Sequence, residues 1–169
     1  CRLMMRITRR NLLLTGFIFC VLLIAYALYT QYVLGLEPCP LCILQRVAVI
    51  ALGLSFLFMA LRPPQTKQSK FFASLLVMIV SSVGVGIAAR HVWLQHLPPD
   101  QVPGCGPGLD FMMANFPLSE VFQMVFSGSG ECAEISWSFA FLSMPAWVII
   151  WLIFLGSYGV WTIYQGRYN

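Results

Sequence analysis

Four stretches of this chain are long and apolar enough to cross a lipid bilayer, and no other feature constrains its fold so tightly. They are residues 11–32 (NLLLTGFIFCVLLIAYALYTQY), 43–61 (ILQRVAVIALGLSFLFMAL), 71–89 (FFASLLVMIVSSVGVGIAA) and 146–164 (AWVIIWLIFLGSYGVWTIY). A hydrocarbon core of about 30 Å requires roughly 20 apolar residues of helix. Helix is also the form in which each of these segments satisfies its own backbone polar groups in lipid. The composition agrees: 59% of the residues are hydrophobic and only 9% are charged, against about 25% charged in ordinary soluble domains. The first stretch reads as a span and not as a signal peptide, because it is longer than a typical h-region and no small-residue cleavage site follows it. The expected fold is an all-α membrane protein, a four-helix transmembrane bundle with connecting segments at about 33–42 and 90–145.

The basic residues orient this bundle. Arg2, Arg6, Arg9 and Arg10 precede the first span, Arg62, Lys67 and Lys70 fill the connection between the second and third, and Arg167 follows the fourth. The other two connections are nearly free of Lys and Arg, with Arg90 at the edge of one. The positive-inside rule then predicts both termini in the cytoplasm and the two remaining segments outside. The net charge of +4 sits at membrane edges, and no pattern points to nucleic acid.

The outer segments hold four of the six cysteines: Cys39, Cys42, Cys105 and Cys132. Cysteine pairs that form disulfides belong in an oxidising compartment, which in a bacterium is the periplasm, so cysteine usage and charge predict the same topology. Cys20 lies inside an apolar run and reads as an inert small hydrophobe. Cys1 has no assigned role. In the longer segment, HLPPDQVPGCGPG is rich in Pro and Gly and is expected to be irregular. Downstream, Leu118, Val121, Phe122 and Val125 recur at helical spacing, and Pro117 suits a first turn. This predicts a short amphipathic helix, lying in the membrane interface or packed on top of the bundle.

The stretch EPCPLCILQR, residues 37–46, carries the most chemistry. Pro38 and Pro40 push Glu37 and Cys39 away from helical conformation, and Pro40 suits the first position of the second helix. Cys39 is then its N-cap and Cys42 lies in its first turn, where the helix dipole favours an anion and so a thiolate. Arg46 is four residues beyond Cys42 and shares its face. An arginine inside a span is costly and marks a functional site by default, although a guanidinium snorkelling to headgroups is the plain alternative.

Three readings of the cysteines compete. A structural zinc site favours two close cysteine pairs, but Cys105 and Cys132 are far apart in sequence, so no metal is expected. A static clamp suits Cys105 with Cys132, which would close a long loop, but a CxxC loop is too short to gain much that way and is typical of redox pairs. Exchange of electrons between two pairs accounts for both. The chain has no haem-attachment motif and no dinucleotide fingerprint, so a quinone dissolved in the membrane is the natural acceptor, with Arg46 placed to stabilise developing negative charge on its oxygen. Arg90, His91 and Gln95, at the outer end of the third span, are candidates to line the same pocket; a core or headgroup-facing His91 is the alternative. His96 is expected in solvent.

The segments PCPLCILQR, RHVWLQHLP…PGCGPGLDFM and GSGECAEISWSFAFLSMPAW, with four spans around them, resemble the disulfide bond formation protein B (DsbB) family over nearly the whole chain. That resemblance implies a bacterial inner-membrane thiol:quinone oxidoreductase, serving a soluble periplasmic oxidase of the DsbA type with a ubiquinone- or menaquinone-type cofactor. It implies that Cys105 forms the mixed disulfide with DsbA, that Cys132 exchanges with Cys39, and that Cys42 meets the quinone beside Arg46 with His91 near it. A DsbA-type donor is itself strongly oxidising, so only a still more oxidising acceptor can take its electrons. Two other readings stand beside this: a relative dedicated to a different partner, and a non-enzymatic membrane scaffold with two structural disulfides.

Overall fold

In the computed structural model the described residues are 9–98, 114–117, 119, 120, 123, 132, 133, 138, 139 and 141–165. Four long helices dominate: α1 (Arg9–Tyr32), α2 (Pro40–Leu61), α3 (Lys67–Gln95) and α4 (Met144–Gln165). Each is long and apolar enough to cross a membrane. The fold is thus the four-helix membrane bundle that the sequence predicts. Consecutive helices pack side by side, and α4 closes the ring by packing on α3 and α1.

The spans extend past their predicted limits, and local chemistry explains where they stop. Helix α2 starts at Pro40, not at residue 43, because proline is preset for a first helical position. It ends at Leu61, with the N–H of the capping Arg62 still reaching Phe58 O at 2.8 Å, just before Pro63 and Pro64. Helix α3 starts at Lys67 because Thr66 and Ser69 form a reciprocal cap, with Ser69 N donating to Thr66 Oγ1 at 3.1 Å and Thr66 N to Ser69 Oγ at 3.0 Å. It continues through Gln95, six residues beyond the apolar run. Residues 90–95 are therefore helix and not loop: no Pro or Gly interrupts them, and the Arg90 guanidinium covers the Trp93 ring at 4.2 Å. At 29 residues, α3 is about 44 Å long, so its outer turns exceed the roughly 30 Å hydrocarbon core or the helix tilts.

The tight turn after α1 depends on Gly35, whose φ of +67° is a conformation that costs other residues a Cβ clash. Ahead of α4, β1 (Ser138–Phe139) and β2 (Leu142–Ser143) pair antiparallel in a hairpin too short for sequence periodicity to reveal. Its turn holds Phe141 at φ 65°, fully exposed. In the second connection, residues 114, 115, 119, 120 and 123 are helical, and Glu120 N donates to Pro117 O at 2.9 Å. The predicted apolar face of Leu118, Val121, Phe122 and Val125 lies outside the described residues, as does Cys1.

Packing inside the bundle relies on close approach, as it must where lipid is as apolar as the core. Phe56 is fully buried and fits where α1 and α4 carry glycines: a Cβ on Gly16 would come within 3.2 Å of its ring, and one on Gly159 within 2.7 Å. A Cβ on Gly84 would lie 2.7 Å from Leu152 Cδ1 and 3.1 Å from Ala48 Cβ, so α2, α3 and α4 meet there. Leu13, Val49, Leu52, Val77, Leu155 and Ile163 complete this core, with Cys20 among them as a small apolar residue. Hydrogen bonds tie the helices too, from Tyr158 Oη to Leu12 O at 3.0 Å and from Arg9 Nη1 to Pro64 O at 3.3 Å. The second bond brings the basic start of α1 to the basic α2–α3 connection, so these charges gather at one end of the bundle and Cys39 and Cys42 lie at the other. Ile18, Leu22, Leu54, Phe58, Phe72, Val83 and Phe154 are exposed and form the lipid-facing belt.

Candidate active site

The site grows from the first turn of α2. Cys39 is the N-cap, extended at φ −67° and ψ 163°, and its carbonyl accepts the first helical bond from Ile43 N at 3.2 Å. One turn of helix folds Cys42 back over it, so the two Sγ atoms lie 3.3 Å apart. A disulfide closes that distance to about 2.05 Å. Cys39 is buried and Cys42 half-buried.

Helix α3 presents His91 to both sulfurs, with Nε2 3.8 Å from Cys39 Sγ and Nδ1 3.9 Å from Cys42 Sγ. These are long contacts for a sulfur partner. The close partner of His91 is Gln45, whose Nε2 lies 3.0 Å from Nδ1. His91 is 3% exposed and Gln45 4%, so this polar pair is sealed inside an apolar end. Cys132 reaches the cluster from the second connection: it is fully buried, and its sulfur, that of Cys39 and a ring nitrogen of His91 all lie within 4.8 Å of one another. Leu41, Ile87 and Leu94 seal the cluster, with Leu44, Leu97 and Phe116 packed against it.

Cys42 faces the other way as well. It lines a cavity of about 390 Å³ between α1, α2 and α4, together with Arg46, Gln45, Tyr26, Trp147 and Trp151. The remaining walls are mostly apolar, from Leu23, Ile24, Val49 and Val148. Arg46 is held there by α1: Nη1 donates to Gln31 Oε1 at 2.5 Å and Nη2 to Ala27 O at 3.1 Å. The guanidinium is therefore aimed along the cavity wall and not released to headgroups, while its other N–H donors remain for a ligand.

The candidate residues from the sequence thus divide. Cys39, Cys42, His91 and Cys132 come together, and Arg46 joins Cys42 on the cavity wall. His91 stands behind the cysteines and not on that wall. Gln95 is off the wall as well, and its Oε1 is buried without a hydrogen-bond partner among the described residues. His96 is exposed, its Nδ1 2.8 Å from Val92 O. Cys105 lies outside the described residues. Sequence reasoning missed Gln45, Gln31, Trp147 and Trp151. Gln45 was findable as an amide three residues from Cys42 in an apolar helix, and Gln31 as an amide near the end of a span. The tryptophans look like any aromatic of a lipid-facing helix until the helices are packed.

A buried CxxC at a helix start, a third buried cysteine against it and a hollow beside it describe a thiol centre set in a membrane bundle. Comparison with known proteins decides its kinship: the family model for disulfide bond formation protein DsbB matches residues 9–162. The chain belongs to the DsbB family. Curated relatives agree. Disulfide bond formation protein B of Nitrosococcus oceani is 53% identical over 157 residues, 93% of this chain and 92% of that protein. The namesake in Methylococcus capsulatus is 49% identical over 151 residues, 89% of this chain and 92% of that protein. The one in Acinetobacter baumannii is 46% identical over 141 residues, 83% and 82% of the respective chains. As a DsbB-family member, the chain is a disulfide-forming, multi-pass membrane protein.

Proposed function

We propose that this DsbB-family protein is a thiol:quinone oxidoreductase of the bacterial inner membrane that reoxidises a periplasmic DsbA-like partner. The observation that carries the proposal is the position of Cys42, with one side against Cys39 and the other on the wall of an apolar cavity that Arg46 also lines. A quinone suits that cavity on three counts: the walls match an apolar ring and tail, Trp147 and Trp151 offer aromatic faces, and Arg46 offers N–H donors to a carbonyl oxygen. When bound, it supplies a two-electron, two-proton acceptor.

The residues of the chain divide the work. The reduced partner attacks the Cys105–Cys132 disulfide, forms a mixed disulfide with Cys105 and releases Cys132. The Cys132 thiolate attacks Cys39 Sγ, making a Cys39–Cys132 disulfide and expelling Cys42; the short distances between these sulfurs favour that transfer. The second thiol of the partner resolves its bond to Cys105, so the partner leaves oxidised. Cys105 then attacks Cys132 and re-forms the Cys105–Cys132 disulfide, which frees the Cys39 thiol beside Cys42; that reduced pair gives up two electrons from the Cys42 side, at the cavity, and closes again as the Cys39–Cys42 disulfide. Two electrons and two protons pass per cycle. His91, against both sulfurs, is placed to hold a proton during exchange, and Gln45 fixes its ring. Arg46, positioned by Gln31 and Ala27 O, meets the charge that develops on the acceptor oxygen. With the cysteines facing the periplasm, Arg9, Arg10, Arg62, Lys67 and Lys70 lie on the cytoplasmic side.

The test uses purified full-length protein, ubiquinone and reduced DsbA. Cys42→Ser is expected to abolish quinone reduction while still trapping DsbA at Cys105. Quinone reduction left intact by Cys42→Ser would overturn the proposal.

A further inference from the structure

The same cluster has a second capacity that disulfide exchange does not use. Cys39, His91 and Cys132 each bring one metal-ligating atom to the cluster, all within 4.8 Å of one another. Zinc at ~2.3 Å from sulfur and ~2.0 Å from nitrogen holds its tetrahedral ligands roughly 3.5–3.8 Å apart. Cys39 Sγ and His91 Nε2 are already 3.8 Å apart, so closure onto an ion requires shifts of about 1 Å or less. The sequence separation that spoke against zinc is closed by the fold, which supplies the missing ligand from α3.

Two further observations favour a metal. All three ligands are buried, Cys39 at 8% exposure, His91 at 3% and Cys132 at 0%, so an ion there is shielded from competing water. The second ring nitrogen of His91 also has a partner: Gln45 stands 3.0 Å from Nδ1. Its amide oxygen and nitrogen exchange places when the group turns over. In the turned orientation Oε1 accepts from Nδ1–H and leaves the Nε2 lone pair free, the arrangement typical of metal-bound histidines.

We propose that the protein, with these cysteines reduced, binds one zinc-class divalent ion through Cys39, His91 and Cys132. Binding involves no change of oxidation state: two thiol protons pass to solvent as two thiolates and a neutral imidazole take the ion. The fourth position stays open. An ion so held keeps Cys39 and Cys132 out of exchange, so soft metals act as reversible inhibitors of the reduced state. The inference requires only that these thiols can be reduced, and it is independent of the quinone.

The test titrates Zn²⁺ into detergent-solubilised full-length protein, reduced with a phosphine and then freed of it, against a chromophoric zinc chelator. Neither DsbA nor quinone is present, so the outcome is separate from that of the relay. The expected result is one tightly bound equivalent with two protons released, at least about tenfold weaker in Cys132→Ser and in His91→Ala, and unchanged in Cys105→Ser. The oxidised wild type, with both sulfurs in disulfides, is expected not to bind; this arm needs no mutation and is immune to a folding defect. Absence of binding by the reduced wild type, equal binding by the oxidised wild type, or loss of binding in Cys105→Ser would overturn the assignment.

Discussion

At the basic end of the bundle, Phe56 is fully buried between glycines of α1 and α4, and α1, α2, α3 and α4 all contribute apolar side chains to one continuous core. At the cysteine end, Gln45 and His91 are buried with the thiols, and a 390 Å³ hollow opens beside Cys42. Around Phe56 the first region is filled to contact; the second gathers an amide, an imidazole and thiols beside an empty volume. The contrast indicates a division of labour. Close packing of small residues secures the bundle in lipid, where there is little hydrophobic force between helices. The opposite end gives up packing to keep room and polarity for chemistry.

Substitutions at the two ends are expected to separate stability from activity. The largest stability effect belongs to the tight end. Phe56→Ala opens a cavity between Gly16 and Gly159 and is expected to cost about 3–5 kcal/mol, measured by denaturant or thermal unfolding in detergent, with turnover per folded molecule unchanged. Equal stability with lost turnover would break the comparison. At the open end, Arg46→Ala removes a charged hydrogen-bond donor from the cavity wall. A charged bond of about 1.5–3 kcal/mol corresponds to a rise of roughly 10- to 150-fold in KM for quinone, with KM for DsbA little changed. An unchanged KM for quinone would remove Arg46 from the quinone site. Gln31→Ala loosens Arg46 without removing it and is expected to raise the same KM by less, in line with a neutral bond of about 1 kcal/mol, with little change in the melting temperature. The smallest effect is expected from Thr66→Ala, which breaks the cap at the start of α3 and costs about 1 kcal/mol; it should lower the melting temperature and leave both KM values alone.

Much of this was legible in the chain itself. Four apolar runs give four helices because lipid leaves the backbone no other partner over such a length. Pro40 gives the start of α2, and with it the N-cap position of Cys39 and the one-turn spacing to Cys42 and Arg46. Boundaries were less legible: α3 continues to Gln95 because a helix persists until something stops it, and polar residues alone do not. The short hairpin before α4 left no periodic signal at all. Within the site, the two cysteines of α2 and Arg46 are near in sequence and were read together. His91, Gln45 and Gln31 act through partners 15 to 52 residues away, and no local pattern records such pairs.

Composition and spacing therefore determined the membrane bundle, its segregation of charge and the CxxC at a helix start, because each follows from local physics: hydropathy over a helix length, proline geometry, the field of one helix terminus. Only the tertiary structure decided that Cys132 lies against Cys39 and His91, that His91 stands behind the sulfurs and off the cavity wall, and that Cys42 borders a hollow between α1, α2 and α4. Those relations depend on which faces of separate helices meet, and that is fixed by the fit of side chains such as Phe56 into gaps left by Gly16 and Gly159, a property of the packed bundle that belongs to no single segment.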